Sequence, residues 1–224
     1  MDSMYQQLMQ LPLFQGVSSD KITALVEKLP FHFLKYHSGE QVLAAGDSCT
    51  HIRFVVSGKV RLDTPFPNLR VTMQQTLSSP HVLAADHLFG IETVYPFNAI
   101  ADGPCGILQL TKSDYVKMVN SDKVFLFNIL NYLSTGSQRC AAMALSIKDG
   151  SVAERLASLL DALLITGSTD VTLRYKQKDL CVLLGTQRTT LIATLDKLSE
   201  ECILDYDSNG MHIRDLDRLV DRLF

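Results

Sequence analysis

Several features that would define a functional class are missing from this sequence of 224 residues. It has no tryptophan, and its five cysteines are an odd number with no Cys-x-x-Cys pair. This argues against a zinc ribbon and against a disulfide framework, so we expect reduced thiols. No apolar run approaches the roughly 18 residues of a membrane helix, and the polar segment 1–10 lacks the features of a secretion signal. We therefore expect a cytoplasmic protein without a membrane partner.

A basic excess is also missing. The net charge is −3 over the whole chain, and residues 150–224 hold nine Lys and Arg against twelve Asp and Glu. Residues 1–149 hold twelve of each sign. Binding to nucleic acid would therefore have to depend on a local basic surface rather than on the overall field.

Short apolar or alternating segments, separated by turn residues, fill residues 31–110. The turns are marked by Ser38-Gly39, Gly46-Asp47 and Ser57-Gly58, in which glycine takes a positive φ without a Cβ clash. Many short strands with regular turn signals predict a β-barrel or jelly roll. The predicted strands cover residues 31–34, 41–43, 51–56, 59–62, 70–73 and 106–110. We expect a helix over 17–29 before them and another from 111 to 119.

A long helix is predicted from about Ser121 to Ile147. Its apolar and small residues alternate at spacings of three and four, which is typical of a coiled-coil seam. The seam residues are Leu126, Ile129, Leu133, Gly136, Cys140, Met143 and Ile147. We expect the same helix of a second copy as the partner, which would make a homodimer. The alternative is that this helix packs on its own β domain.

Residues 177–204 have the pattern of a helix-turn-helix. A short leucine-rich helix leads to a Gly185-Thr186 turn, and a second helix is predicted from about Gln187 to Ser199. A strand over 171–175 precedes this segment, and a hairpin over 203–213 follows it. That hairpin carries an Asn-Gly turn, the strongest short hairpin signal, and is expected to form a wing. A helix over 215–224 closes the chain.

The second helix is amphipathic in a way that suits DNA. Its inward positions are leucines, whereas polar side chains lie at its N-terminal end, the end that can enter a major groove. Arg188 could donate two hydrogen bonds to a guanine, and its neighbours could reach bases or phosphates. The candidate DNA-binding residues are Lys176, Thr186, Gln187, Arg188, Thr189, Thr190 and Lys197.

The order of these parts resembles the Crp/Fnr family of transcription regulators over nearly the whole chain. The segment 184–191 is similar to the family's hallmark sequence around its turn glycine, and Gly39, Gly46 and Gly58 are similar to the glycines of its β-roll. The resemblance implies an α+β architecture. A β-roll effector domain, a double-stranded β-helix or jelly roll like that of cyclic-nucleotide-binding proteins, would span 1–120. A dimerisation helix would span 121–148 and a winged helix-turn-helix 149–224.

The resemblance also implies a function. A homodimer would bind double-stranded DNA at a near-palindromic operator under the control of a signal at the β-roll, with RNA polymerase as a further partner. Arg188 matches the arginine that the family uses on guanine and phosphate. Thr189 departs from the pattern, since the family usually has a glutamate there that reads cytosine. The operator half-site is therefore expected to differ from the familiar one.

The pocket departs further from cyclic-nucleotide-binding members. Ala85 stands in place of the glutamate that binds ribose, and Tyr95 in place of the arginine that binds the cyclic phosphate. A shifted register through Gly90 and Glu92 also lacks an arginine before Cys105. Burying a phosphate without a charged donor is costly, so cyclic AMP is not the expected ligand. The candidate pocket, which either admits an unidentified small molecule or is filled by its own side chains, comprises Val82, Leu83, Ala84, Ala85, Phe89, Tyr95 and Phe97.

Two other functions are alternatives to this one. An enzyme with a cupin-type metal site would need converging histidines, yet there is no His-x-His pair, Gly-rich phosphate loop or nucleophile elbow. The N-terminus lacks a cysteine cluster for iron and sulfur, and nothing distinguishes His81 or His87 as a haem ligand. We expect no catalytic residue, metal or cofactor. The remaining alternative, suggested by the acidic C-terminal half, is a sensor or interaction module that has lost specific DNA binding.

Overall fold

The computed structural model describes residues 6, 8–146 and 150–221. The chain forms two compact units. One contains residues 1–62 and 77–135, and the other contains residues 63–76 and 136–224. A short segment from the first half of the chain is therefore part of the same unit as the C-terminal half.

The first unit contains the predicted β-roll. Its strands, including two that continue into the second unit, are β1 (His32–Tyr36), β2 (Gln41–Leu43), β3 (His51–Ser57), β4 (Lys59–Pro65), β5 (Val71–Ser78), β6 (His81–Leu83), β7 (Asn98–Ala101) and β8 (Cys105–Thr111). One antiparallel sheet has the order β1-β8-β3-β6, and β2 pairs with β7. Every strand predicted over 31–110 is confirmed. The short strands β6 and β7 were not predicted.

Among the described residues, three α-helices of ten residues or more belong wholly or in part to this unit. They are α1 (Ser19–Lys28), α2 (Lys112–Ser121) and the first half of α3 (Lys123–Ser146). Thr111 caps α2, because its Oγ1 accepts a hydrogen bond from the amide of Asp114 at 3.2 Å. The core holds an aromatic chain in which Phe14 makes edge-on contacts with Phe54 (5.7 Å) and Phe125 (5.4 Å) between ring centres. Such edge-on pairs add to the stabilisation that comes from burial alone.

The second unit is a winged helix-turn-helix. Its elements are α4 (Val152–Leu163), β9 (Thr169–Tyr175), α5 (Gln177–Leu183), α6 (Arg188–Glu200), β10 (Leu204–Tyr206), β11 (Gly210–Ile213) and α7 (Leu216–Val220). A capping box starts α4: the Ser151 amide donates to Glu154 Oε2 at 2.6 Å, and the Glu154 amide donates to Ser151 Oγ at 3.3 Å. The helices and strands predicted over 171–213 are confirmed, with bounds that shift by one or two residues. Of the helix predicted over 215–224, Leu216–Val220 is helical, and residues 222–224 lie outside the described residues.

The core of the second unit draws on both parts of the chain. Leu156 and Leu160 of α4 are fully buried against the inward leucines of α6. Val71 and Met73 of β5 belong to the same core and are 1% and 0% exposed. Each large aliphatic side chain buried in this way contributes about 1.5–3 kcal/mol, which makes the 63–76 segment an integral part of this unit.

The long helix α3 has two different faces. Phe125 and Ile129 are only 2% and 8% exposed, and Asn128 Nδ2 donates to the carbonyl of Leu13 at 3.1 Å. This face therefore packs within its own unit, as the alternative to the coiled coil predicts, while another face is open. Pairing with a second copy stays a prediction. The open face carries Leu126, Phe127, Leu130 and Leu133, which are 41%, 61%, 48% and 38% exposed.

The residues of the predicted coiled-coil seam therefore lie in three different environments: solvent, the first unit and the core of the second unit. Leu126, Leu133, Gly136 and Cys140 are exposed, whereas Ile129 is buried in the first unit. Met143 packs against the core of the second unit. Ile147 lies outside the described residues.

The turn at Gly58 gives a prediction about stability. Its φ is +79°, and a Cβ there would lie 2.3 Å from the carbonyl oxygen of Pro104, whereas Gly39, with a φ of +83°, faces open space. Gly39→Ala should cost only the left-handed strain of about 1–2 kcal/mol. Gly58→Ala should cost at least about 2 kcal/mol more, because backbone must move to relieve the clash. Urea unfolding of both variants measures this difference, and equal losses would contradict the prediction.

Candidate nucleic-acid interface

The burial of one face of α6 determines which side chains reach solvent. Leu191, Leu195 and Leu198 are each 1% exposed and lie in the core of the second unit. The start of the helix is therefore turned outwards. Its exposed polar residues are Gln187, Arg188, Thr189 and Thr190. Gln187 is the N-cap of α6, but its side chain makes no capping hydrogen bond. The carboxamide group of this side chain is therefore available to a ligand.

The turn before α6 is held by an arginine that the sequence analysis did not select. Gly185 has a φ of +56°, in the left-handed region that glycine tolerates. Its carbonyl accepts a hydrogen bond from Arg155 Nη1 at 3.2 Å, and the Thr186 amide donates to the Cys181 carbonyl at 2.9 Å. Arg155 precedes the turn by 30 residues and lies on a different helix. Local sequence patterns therefore carry no signal for this contact.

A shallow depression lies between α5 and the start of α6. Its volume is about 520 Å³, and Val182, which is 63% exposed, contributes apolar surface. The lining residues are Gln177, Lys178, Cys181, Val182, Gly185, Thr186 and Arg188. Two cations, on Lys178 and Arg188, thus flank a concave surface between the two helices of the motif. Such a surface can accommodate a strand of a nucleic-acid backbone.

Charges in this part of the chain are segregated. Residues 171–195 contain four cations, Arg174, Lys176, Lys178 and Arg188, and a single acidic residue, Asp179. All four cations are exposed. Lys197, the remaining predicted cation, is also exposed but lies in the last turn of α6. This stretch of the chain is therefore locally basic although residues 150–224 are acidic in total. Lys178 and Arg188 line the same depression, whereas Arg174 lines another one together with Asp205 and Asp207.

Many acidic groups of this unit are engaged in contacts elsewhere. Asp205 pairs with Arg214, and Asp196 accepts a hydrogen bond from the Tyr206 hydroxyl. The latter bond raises the pKa of Tyr206. Asp215 Oδ1 accepts from the Arg218 amide at 3.0 Å and caps α7. Of these three carboxylates, only Asp205 has a cationic partner. The hydrogen bonds to Asp196 and Asp215 order these side chains but leave their charges in place.

The wing has an ordered tip. Asp207 Oδ1 accepts hydrogen bonds from the amides of Asn209 (2.7 Å) and Gly210 (2.9 Å), an arrangement that favours a tight turn. Strand β11 lies between β10 and β9, and β5 pairs with the other edge of β9. The predicted Asn-Gly hairpin is thus confirmed. Its two strands, β10 and β11, come first in the strand order β10-β11-β9-β5.

The residues of the candidate effector pocket do not all lie together. Six of them are 6% exposed or less: Val82, Leu83, Ala84, Ala85, Tyr95 and Phe97. Phe89 is 44% exposed, stacks on Tyr115 with 6.3 Å between ring centres, and lies 4.6 Å from Lys112 Nζ. Six predicted residues therefore belong to the interior of the β-roll, and Phe89 belongs to its surface.

Tyr95 is held by its own domain. Its hydroxyl donates to the His51 carbonyl at 3.3 Å, and the Arg53 guanidinium lies 5.7 Å from its ring centre. Burial raises the pKa of Tyr95 to about 12, so the side chain is neutral at physiological pH. It cannot supply the positive charge that a buried cyclic phosphate needs.

No metal site is formed by the described residues, among which no three His, Cys, Asp or Glu side chains are arranged to hold an ion. His87 is paired with Asp86, with 3.0 Å between Nδ1 and Oδ1, and this carboxylate raises the pKa of the imidazole. The geometry of the described residues therefore offers no support for the metal-dependent alternative.

In the part of the chain covered by the structure, no helix is long and apolar enough to cross a bilayer.

Two family profiles match the chain. Residues 33–122 match "Cyclic nucleotide-binding domain", and residues 154–222 match "Crp-like helix-turn-helix domain". The two regions coincide with the β-roll and with the winged helix-turn-helix. No curated protein matches the chain.

Solved structures with a similar fold cover nearly the whole chain. The catabolite activator protein of Thermus thermophilus is 20% identical with a TM-score of 0.51, over 95% of this chain and 100% of that one. A mutant of CooA from Carboxydothermus hydrogenoformans is 16% identical with a TM-score of 0.49, over 90% of each chain. A putative cyclic nucleotide binding protein from Ruegeria pomeroyi is 20% identical with a TM-score of 0.44, over 99% of this chain and 97% of that one. The first of these similarities supports the fold.

Proposed function

Because the chain belongs to the Crp/Fnr family of transcription regulators, we propose that it acts as a homodimer that binds a near-palindromic DNA operator. The observation that carries this proposal is the orientation of α6. Its leucines are buried and its polar first turn, with Arg188, projects from a locally basic surface. A recognition helix needs this arrangement to place side chains against base edges in the major groove.

Individual residues of this surface would have different roles. Arg188 has the length and the paired donors to contact guanine O6 and N7, which is the commonest specific contact in the major groove. Lys176 and Lys178 at the start of α5 are suited to phosphates, which set the position of the protein without reading sequence. Thr189, which has no carboxylate to accept from a cytosine amino group, would give a half-site different from that of relatives with glutamate.

The homodimer is supported by the open face of α3. Leu126, Leu130 and Leu133 follow one another at spacings of four and three, and all are exposed together with Phe127. A contiguous apolar helix face of this kind is typical of a coiled-coil interface. In such a dimer two recognition helices would reach successive major grooves, about 34 Å apart. We therefore keep Leu126 and Leu133 of the predicted seam in the proposed interface and replace the buried Ile129 by Leu130.

The regulatory signal would act through the β-roll. Cyclic AMP is not the expected ligand, because its phosphate needs a positive charge and Tyr95 is neutral and hydrogen-bonded within its own domain. A signal can change DNA affinity only by binding one conformational state better than another. RNA polymerase is the expected further partner, and the cytoplasm is the expected location.

A second candidate function is a sensor or interaction module that no longer binds DNA specifically. The observation that favours it is the acidic balance of residues 150–224. A random-sequence selection with the purified protein at low and moderate salt separates the two functions. Enrichment of a two-fold symmetric site, with half-sites about one helical turn apart, is expected. Failure to enrich any site, with or without small molecules from a cell extract, would favour the module.

Arg188 gives a sharper test on the selected site. Arg188→Ala should weaken specific binding by about 1–3 kcal/mol and relax the sequence preference at one position, without unfolding the protein. Lys28→Ala removes the same charge from an exposed position on α1 and should leave affinity within about twofold. Titrations of both variants by fluorescence anisotropy measure the effect. Equal losses would show that Arg188 contributes only net charge.

The proposed interface on α3 also gives a test. Leu130→Glu combined with Leu133→Glu should produce monomers, because two like charges would face their copies across the seam. Specific DNA affinity should fall by roughly a hundredfold, since each half-site would then be bound independently. Val116→Glu places a charge on another exposed apolar residue, on α2, and should remain dimeric. Analytical ultracentrifugation distinguishes these outcomes, and a dimeric double variant would contradict the assignment.

A further inference from the structure

We propose that Arg70, from outside the helix-turn-helix, is part of the DNA-binding surface and neutralises Asp179, the single acidic residue of segment 171–195. This proposal rests on the proposed function. It assigns to residues 63–76 a role that their position in the sequence, within the predicted β-roll, does not suggest.

Strand pairing determines the position of Arg70. In the antiparallel pair of β5 and β9, Val71 lies opposite Tyr175 and Met73 opposite Leu173. The buried side chains of Val71 and Met73 anchor this strand in the core that also holds the leucines of α6. Arg70 is the residue before this strand. Its carbonyl accepts a hydrogen bond from the amide of Lys176, the N-cap of α5, at 3.0 Å.

Two hydrogen bonds join Arg70 to Asp179. The Arg70 amide donates to Asp179 Oδ2 at 3.2 Å, and Nε of the same residue donates to the same oxygen at 3.0 Å. The Asp179 side chain is only 14% exposed, whereas that of Arg70 is 73% exposed. From the solvent, this position therefore presents mainly a guanidinium group rather than a carboxylate. The hydrogen bond from Arg70 also holds the pKa of Asp179 below its usual value, so the carboxylate stays ionised and paired.

Asp179 lies among the residues proposed to bind phosphate. It directly follows Lys178, which lines the depression beside Arg188, and it lies in the first turn of α5. An unpaired carboxylate there would repel the DNA backbone within a Debye length, about 8–10 Å at physiological salt. An acidic residue in the first turn of a helix is nevertheless favourable for that helix. Arg70 meets both requirements. Asp179 stays in the first turn of α5, and the guanidinium group neutralises its charge on the side that would face the DNA.

A set of charge-removing variants distinguishes this role from a purely structural one. Arg70→Gln should weaken DNA binding by roughly three- to tenfold at low salt, with a deficit that shrinks as salt is raised. Asp179→Asn alone should bind DNA as well as the unmodified protein or better. The double variant should regain most of the affinity that Arg70→Gln loses. Arg70→Lys, which keeps the charge and changes the geometry, should retain most of the binding.

The control is Lys59→Gln, which removes one exposed charge at the start of β4 and should leave affinity nearly unchanged. Melting temperatures are measured for every variant. If the two single variants lose affinity and stability in parallel, or if the double variant binds as weakly as Arg70→Gln, the masking role is overturned. If Arg188→Ala weakens binding but Arg70→Gln does not, only this inference fails. If the unmodified protein binds no DNA, both this inference and the proposed function fail.

Discussion

The arrangement of the whole proposed DNA-binding surface depends on the burial of Leu191, Leu195 and Leu198 along one face of α6. Since a helix repeats every 3.6 residues, fixing that face inward fixes the direction of every other side chain on the helix. Arg188 and its polar neighbours reach solvent for this reason. The rest of the unit supports the same orientation, because α4 and β5 fill the other side of the core and Arg155 holds the Gly185 turn.

A second constraint is electrostatic. An acidic unit can bind a polyanion only if its negative charges are compensated locally or lie away from the contact. Asp205 and Asp196 bond to partners in or beside the wing, and Asp215 caps α7. Asp179 is the exception, since it lies inside the basic segment, and Arg70 is its partner. The net charge of the unit therefore does not predict the charge of this surface, which depends on whether its carboxylates are paired.

The sequence allowed the helix-turn-helix to be predicted because its signals are local. Gly185 marks the turn, leucine spacing marks the buried face, and Asn209-Gly210 marks the hairpin. Contacts between distant segments left no such signal. The hydrogen bond between Arg70 and Asp179 spans 109 residues, and that between Arg155 and Gly185 spans 30. Strands β6 and β7 have three and four residues, too few to show alternation. Strand β2 is as short but lies between the turn signals Ser38-Gly39 and Gly46-Asp47, which made it predictable.

The helix α3 shows how far periodicity alone can be taken. Spacings of three and four describe the seam through Ile129 and equally well the face through Leu126, Leu130 and Leu133, because apolar residues occur on both sides of the helix. Packing separates the two faces: Ile129 is buried within its own unit, and Leu130 is not. A helix that is apolar on both sides needs two partners. One of them is the β-roll itself, and a second copy of the chain is the simplest group that can cover the other face.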